Sequence, residues 1–408
     1  MISFAELKVQ KTECHPEFIS GSDSVFLDSI KTYNKHSCFA IHPPKILTFV
    51  TKIQAGMESY NIIGLMSGTS ADGLDVVLCK FEGSDYNWKY TPIKAKTYEY
   101  DAETKAKMLS LHTLSAEDLK RADVWFGNLS ANAINDFRKD ISKQIDFVAS
   151  HGHTVFHNPQ EGYTMQIGDG NVIAKKTNLP TIYDFRSGDV ALGGQGAPLV
   201  PIGDELLFGQ YDACLNLGGF SNISMRNDHG ERIAFDISPV NIIMNEYARL
   251  LGKNYDENGD IAASGKLIPA LLNELSAIKY YGQKPPKSLG REWVDQTMKP
   301  ILAKYQSESV PDILNTLSVH IGTEIGKAID KCGKVLVTGG GAYNKFLIGN
   351  IRQNCNSEII IPDDTTINYK EAIIFAFLGL LRQTGKNNCL SSITGAKIDS
   401  CCGVIAIP

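Results

Sequence analysis

Six residues, Gly68-Thr69-Ser70-Ala71-Asp72-Gly73, interrupt an apolar run that resumes as Leu74-Asp75-Val76-Val77. Two glycines, two hydroxyls and carboxylates in so short a span suit a hairpin whose backbone N–H groups approach an anion. A plain turn is the bland alternative. The second half of the chain repeats the plan: Leu215-Asn216-Leu217, then Gly218-Gly219, then Ser221 and Asn222 before another apolar stretch. Such paired loops could grip a phosphate chain from two sides. A third glycine-rich segment, Gly339-Gly340-Gly341, joins an apolar strand at 334–338 to a helical pattern, where a helix N-terminus favours negative charge. It is no dinucleotide fingerprint, because GxGxxG is absent, as is GxxxxGK[ST].

Asp184 follows a short strand and precedes Arg186, Asp189 and a loop with Gly193, Gly194 and Gly196. A carboxylate at a strand end can act as general base toward water or a hydroxyl. The alternative is an aspartate that caps the next turn and pairs with Arg186. His151 and His153, with His157 beyond them, could belong to a metal-dependent hydrolase. No second histidine cluster completes the ligand set, so positioning a substrate is the better reading. Residues 256–260 lack the glycine and distal glutamate of a calcium loop. The segment 285–293, with Lys287 and Arg291, reads as an exposed turn that could also meet an anionic substrate.

The elements that must position these groups alternate. Strand-like runs fall at 61–66, 74–81, 147–150, 180–183, 213–217, 223–225, 233–235 and 334–338, and helical spacing at 116–138, 241–251, 267–281, 311–332, 343–354 and 371–383. Leu267, Leu271, Leu275 and Ile278 mark a core-facing stripe. The class is α/β with partly parallel sheets. The repeated hairpin predicts two related lobes with a ligand between them.

Composition bounds the rest. The chain has 408 residues, 43% of them hydrophobic and 21% charged, with a formal net charge of -5. That is ordinary globular composition with no basic footprint for nucleic acid. Nine cysteines occur with no CxxC pair, which indicates free thiols of a reducing, cytoplasmic compartment. No apolar run has the roughly 20 residues needed to span a bilayer. Residues 1–56 show no sustained period and are expected to be a disordered extension or the product of a mis-assigned start.

The ordered set Ile63-Gly64-Leu65-Met66-Ser67-Gly68-Thr69-Ser70-Ala71-Asp72-Gly73, Ser150-His151-Gly152-His153-Thr154, Met165-Gln166-Ile167-Gly168-Asp169-Gly170, Asp184-Phe185-Arg186, Asn216-Leu217-Gly218-Gly219-Phe220-Ser221, Lys287-Ser288-Leu289-Gly290-Arg291 and Thr338-Gly339-Gly340-Gly341 resembles the anhydro-N-acetylmuramic acid kinases over roughly residues 58–388. The resemblance implies the two-lobed actin-like, sugar kinase and Hsp70-type ATPase fold, with lobes at 57–200 and 201–408. It implies ATP and Mg²⁺, a hydrolytic opening of the 1,6-anhydro bond with phosphorylation of O6, and a homodimer. Asp184 matches the family's catalytic base. Residues Gly68, Thr69, Ser70, Ala71, Asp72, Gly73, Leu74 and Asp75 match its ATP-phosphate segment, with Gly218, Gly219, Ser221, Asn222 and Gly339–Gly341 completing the nucleotide site. His151, His153, Gln166, Arg186 and Gln195 are the expected substrate residues, and Asp72 could hold the metal through water. An ATPase sensor without sugar turnover is the alternative. Departures are His153 where glutamine is usual, and Ile237-Ser238 and Val240 where the family carries Thr-Gly and Gly.

Overall fold

Strand β1 (Glu58–Ser67) turns through the first glycine-rich loop into β2 (Gly73–Ser84), and a tight turn at Asp85 leads to β3 (Asn87–Glu99). These three are antiparallel. After the helix Ala116–Phe137, β4 (Phe147–Asn158) enters parallel to β1, and β5 (Tyr163–Ile167) folds back on it. β6 (Thr181–Tyr183) lies parallel to β4. In a computed structural model these elements belong to the described residues, 57–408; the expectation for 1–56 lies outside them.

The second sheet repeats the first. β7 (Ala213–Leu217), β8 (Phe220–Arg226) and β9 (Arg232–Pro239) form the antiparallel meander, while β10 (Lys334–Thr338) runs parallel to β7 and β11 (Glu358–Ile360) parallel to β10. The strand orders β3-β2-β1-β4-β6 and β9-β8-β7-β10-β11 therefore correspond, strand for strand and direction for direction. The similarity of the two hairpins was the visible part of a five-strand duplication. The chain has the two-lobed actin-like architecture. A short β12 (Val404–Ala406) returns to pair antiparallel with β6.

Three cores hold this together. Leu65, Val76, Leu78 and Val148 pack against Phe126 and Ile134 of the helix Ala116–Phe137, whose start is capped by Ser115 accepting the Asp118 N–H. Leu215, Leu217 and Val337 pack against Leu314, Leu317 and Ile321 of the helix Val310–Ile329. Between them, Val77, Phe81 and Ala149 of the first sheet and Cys214 and Leu336 of the second share one core with the helices Val200–Leu207 and Asp364–Gln383.

The helix expected over 267–281 is shorter. Pro269 begins it, it ends at Ser276, and only Leu271 and Leu275 of the proposed stripe are fully buried, Leu267 being exposed. Proline suits the first helical position, and its ring keeps Ile268 extended, which removes Leu267 from the helix. β3, β5, β11 and β12 were not anticipated. No helix among the described residues is long and apolar enough to cross a membrane.

Candidate active site

Parallel strands β1, β4 and β6 lie side by side; the first glycine loop and Asp184 follow the carboxyl ends of β1 and β6, and His151 and His153 lie within β4, with His153 level with Ser67. Asp184 takes a left-handed backbone conformation, φ 52°, and is half-buried. Its Oδ1 accepts the Ser187 N–H at 3.2 Å, so the capping half of the bland alternative is present. The pairing half is not. Arg186 turns instead to His151 Nε2, donating from Nε at 3.1 Å and from a terminal nitrogen at 2.8 Å, and to the Gly196 carbonyl at 2.7 Å. Burial lowers the Arg186 pKa to about 10, partly offset by the field of Glu371. His151 has Nδ1 on the Gly152 carbonyl at 2.9 Å and packs tilted against the Phe375 ring, with centroids 4.6 Å apart. Burial, then the neighbouring guanidinium, hold it well below the usual histidine range. A ring nitrogen that faces an arginine cannot also bind a cation, which counts against the metal-hydrolase reading.

In the first loop, Thr69, Ser70 and Asp72 are exposed while Ala71 and Leu74 are buried in the first core. Ala71 has φ 51°, and its N–H closes the turn onto the Gly68 carbonyl at 3.1 Å. A Cβ on Gly68 would meet only Ser70 Oγ, at 3.8 Å, so that glycine leaves room for a ligand; on Gly73 it would strike Thr97 and the Tyr98 carbonyl at 2.9 Å, so that one serves packing. Asp72 is ion-paired with Lys105. Asp75 accepts the Thr97 hydroxyl at 2.6 Å, and burial raises its pKa against that bond.

In the second hairpin the Gly219 carbonyl accepts the Val240 and Ile242 N–H groups at 2.8 and 3.1 Å, and Gly218 accepts Asn241 at 3.3 Å. Ser221 corrects the expectation of a side-chain donor. It is fully buried, donating to the Ser238 carbonyl and accepting the Ser238 N–H, both at 3.0 Å. Asn222 is exposed. Ile237 and Val240, at the family's threonine and glycine, lie in the second core. Gly339, φ 81°, sits with Gly341 against Leu217: a Cβ on either would come within 2.9 Å of that residue. Gly340 is open to its surroundings, with nothing nearer than Asn241 at 3.8 Å. Asp236 accepts the Leu289 N–H at 2.8 Å, anchoring the 285–293 loop, and Lys287 lies over the Tyr280 ring at 4.6 Å.

The N-terminal half of the helix Asp364–Gln383 brings these pieces together. The Ile367 carbonyl accepts the Gly339 N–H at 3.2 Å, the Tyr369 hydroxyl meets Thr97 Oγ1 at 3.2 Å, and Glu371 lies in the fields of Arg186 and Asp75. Burial raises the Glu371 pKa, Lys370 and Arg186 oppose this, and Asp75 adds to it. Sequence reading missed Glu371; its signal was a lone carboxylate opening an apolar helical run. Gln166 is half-buried, donating to Thr164 at 2.9 Å and Thr154 at 3.3 Å, and its Oε1 is buried without a partner. Gln195 is exposed, held by its backbone N–H on the Thr394 carbonyl at 2.7 Å.

A model of the family described as anhydro-N-acetylmuramic acid kinase matches residues 60–408. A protein of that name from Francisella tularensis subsp. novicida is 38% identical over 364 residues, covering 82% of this chain and 95% of its own. Namesakes from Aliivibrio fischeri and Caldanaerobacter subterraneus subsp. tengcongensis are 37% and 34% identical, each covering 86% of this chain and 99% and 98% of their own. Among solved structures, the Acidaminococcus fermentans (R)-2-hydroxyglutaryl-CoA dehydratase component A has a TM-score of 0.40 at 10% identity, covering 77% of this chain and 95% of that one. With a family model spanning nearly all the described residues and relatives above 30% identity along most of their length, this chain belongs to the anhydro-N-acetylmuramic acid kinase family.

Proposed function

We propose that this protein uses ATP and water to convert 1,6-anhydro-N-acetylmuramic acid into N-acetylmuramic acid 6-phosphate and ADP. The reading rests on family membership together with one structural observation: a single helix meets the Gly339 turn through Ile367, Thr97 (the hydrogen-bond partner of Asp75) through Tyr369, and Phe185 of the Asp184 turn through Phe375. Water attacks the anomeric carbon while the Asp184 carboxylate takes its proton. The C1–O6 bond breaks, and O6 takes the γ-phosphoryl group in line as ADP leaves. Water is a weak nucleophile, so a positioned base is needed, and phosphoryl transfer depends chiefly on alignment and charge neutralisation. Asp184 Oδ2 has no protein partner among the described residues and is free to hold the water. Arg186, fixed by His151 and Gly196, sets positive charge two residues away. The exposed hydroxyls of Thr69 and Ser70 and the open face at Gly68 suit the phosphate chain.

Mg²⁺ fits the residues present. Asp75 and Glu371 would hold it: burial raises the pKa of each carboxyl and the Asp75 charge raises that of Glu371 further, so binding a divalent cation would relieve both. The ion supplies charge neutralisation at the phosphates. Asp72, taken up by Lys105, suits this less well.

The decisive experiment is turnover in ¹⁸O-water with ATP, Mg²⁺ and the anhydro-sugar. Label at C1 of a 6-phosphorylated product is expected; label on phosphate instead would overturn the reading. Asp184→Asn should lower turnover by about 10²–10⁴-fold while leaving ATP affinity within about twofold.

A further inference from the structure

Ser67 ends β1 directly across from His153 in the β1–β4 pairing. Its hydroxyl lies 3.1 Å from His153 Nδ1 and receives the Tyr100 hydroxyl hydrogen at 2.9 Å. Ser67 is 1% and His153 4% exposed, so bulk water does not complete these bonds. The Phe126 ring packs beside both partners, 6.2 Å from the His153 centroid and 6.4 Å from that of Tyr100.

Proton counting fixes the tautomer. A serine hydroxyl has one hydrogen to give. With Tyr100 donating into Ser67, the Ser67 hydrogen has His153 Nδ1 as its acceptor. Were Nδ1 protonated, the Ser67 oxygen would accept both hydrogens and its own would be buried without an acceptor among the described residues, a costly arrangement. Nδ1 is therefore bare and the ring hydrogen is on Nε2, which has no protein partner among the described residues. Burial holds the His153 pKa at about 4, so the ring stays neutral at ordinary pH. Strand β4 is the middle one of β1, β4 and β6, which sets His153 between the Gly68 loop and the Asp184 turn.

We propose that His153 Nε2–H is an uncharged donor that reads an oxygen of the carbohydrate, with Ser67 and Tyr100 as positioning residues that fix its tautomer. The choice of ligand rests on the kinase reading; the tautomer does not. A neutral donor discriminates differently from a charged one. It rewards a hydroxyl or carbonyl oxygen without attracting every anion, which suits a position beside a phosphate site.

The test joins NMR with kinetics on the full chain. In ¹⁵N-histidine-labelled protein, the resonance lost in His153→Gln should show Nε2 protonated and Nδ1 bare, unchanged from pH 5.5 to 8. Ser67→Ala should convert it to a tautomer mixture. The anhydro-sugar alone should move the Nε2–H resonance, and Mg²⁺-ATP alone should not. His153→Leu should raise the sugar KM about tenfold with the ATP KM within about twofold. His153→Gln, which restores a neutral N–H, should return the sugar KM to within about threefold of the parent. Protonated Nδ1 overturns the proposal, as does an unchanged sugar KM in His153→Leu from a parent that turns over. If the parent shows no turnover, the kinase reading fails and the ligand-free spectrum still decides the tautomer. Thermal unfolding checks that each variant folds; should His153→Leu not fold, Ser67→Ala and His153→Gln carry the comparison.

Discussion

Glu371 begins the apolar stretch of the helix Asp364–Gln383 and lies in the fields of two cations, Lys370 and Arg186, and two carboxylates, Asp75 and Asp204. It has no hydrogen-bonding partner among the described residues, in contrast with Asp72, whose exposed carboxylate is already taken by Lys105. If Glu371 shares a cation with Asp75, Glu371→Gln should raise the Mg²⁺ concentration for half-maximal rate about tenfold. A Mg²⁺ titration at saturating substrates checks it, and an unmoved midpoint would sink the assignment. A second buried group concerns stability. His320 is fully buried beside Tyr281, centroids 4.8 Å apart, and neither ring nitrogen has a hydrogen-bond partner among the described residues. Burial, with a smaller push from Lys327, holds its pKa at about 3. The unfolded chain takes this proton near pH 6.5 while the folded chain does not, so stability present above pH 6.5 falls as pH drops toward about 3. His320→Leu should flatten that decline by about 1.4 kcal/mol per pH unit. Urea unfolding at pH 7 and pH 5 gives the slope; parallel declines in parent and variant would refute this.

At the scale of elements, β1 crosses the helix Asp364–Gln383 in backbone contact. A Cβ on Gly64 would stand 2.1 Å from the Ala372 carbonyl oxygen, and the obstacle is backbone. Gly64→Ala should cost at least about 2 kcal/mol and lower the thermal midpoint, since neither element can withdraw without opening its core. A variant as stable as the parent would mean that helix and strand slide freely. How much of this was readable follows from burial. β7 and β10 were legible to the residue because Ala213–Leu217 and Lys334–Thr338 are short apolar runs between turn signals. β3 was not. It is an edge strand whose charged Lys89, Lys94 and Lys96 and interior Pro92 mimic a loop, with a bulge at Ile93 beside that proline, where Leu78 and Cys79 pair with Lys94 and Pro92. β12 was illegible for another reason: three residues carry no period, and only β6 makes them a strand. At the site, Asp184 and the glycine turns announced themselves by type. Ser67 and Tyr100 did not, because their role exists only when β4 extends past Gly152, φ 77°, and sets His153 across from Ser67.

The whole molecule turns on the core between the sheets, where the helices Val200–Leu207 and Asp364–Gln383 meet. Lys370 and Asp204 form an ion pair there at 2.7 Å, their side chains 6% and 2% exposed. Burial alone would lower the Lys370 pKa, yet the Asp204 charge overrides it and the net shift is upward. The ammonium is therefore retained at neutral pH. Such a pair is weak evidence for stability in itself, because desolvation of two charges consumes most of their attraction. Its removal one partner at a time is a different matter. Lys370→Met leaves the Asp204 carboxylate buried without its cation and should cost about 3–5 kcal/mol, whereas the double variant Lys370→Met with Asp204→Leu should return to within about 1–2 kcal/mol of the parent. Since Lys370 precedes Glu371 on the helix that meets the Gly339 turn and Thr97, the single variant should also weaken Mg²⁺-ATP affinity, and the double variant should restore it if packing rather than charge sets the helix. Chemical unfolding and ATP titration of the four proteins in the cycle measure both couplings. A double variant that regains stability without regaining nucleotide affinity would show that the ion pair, and not the packed helix, aligns the two halves of the site.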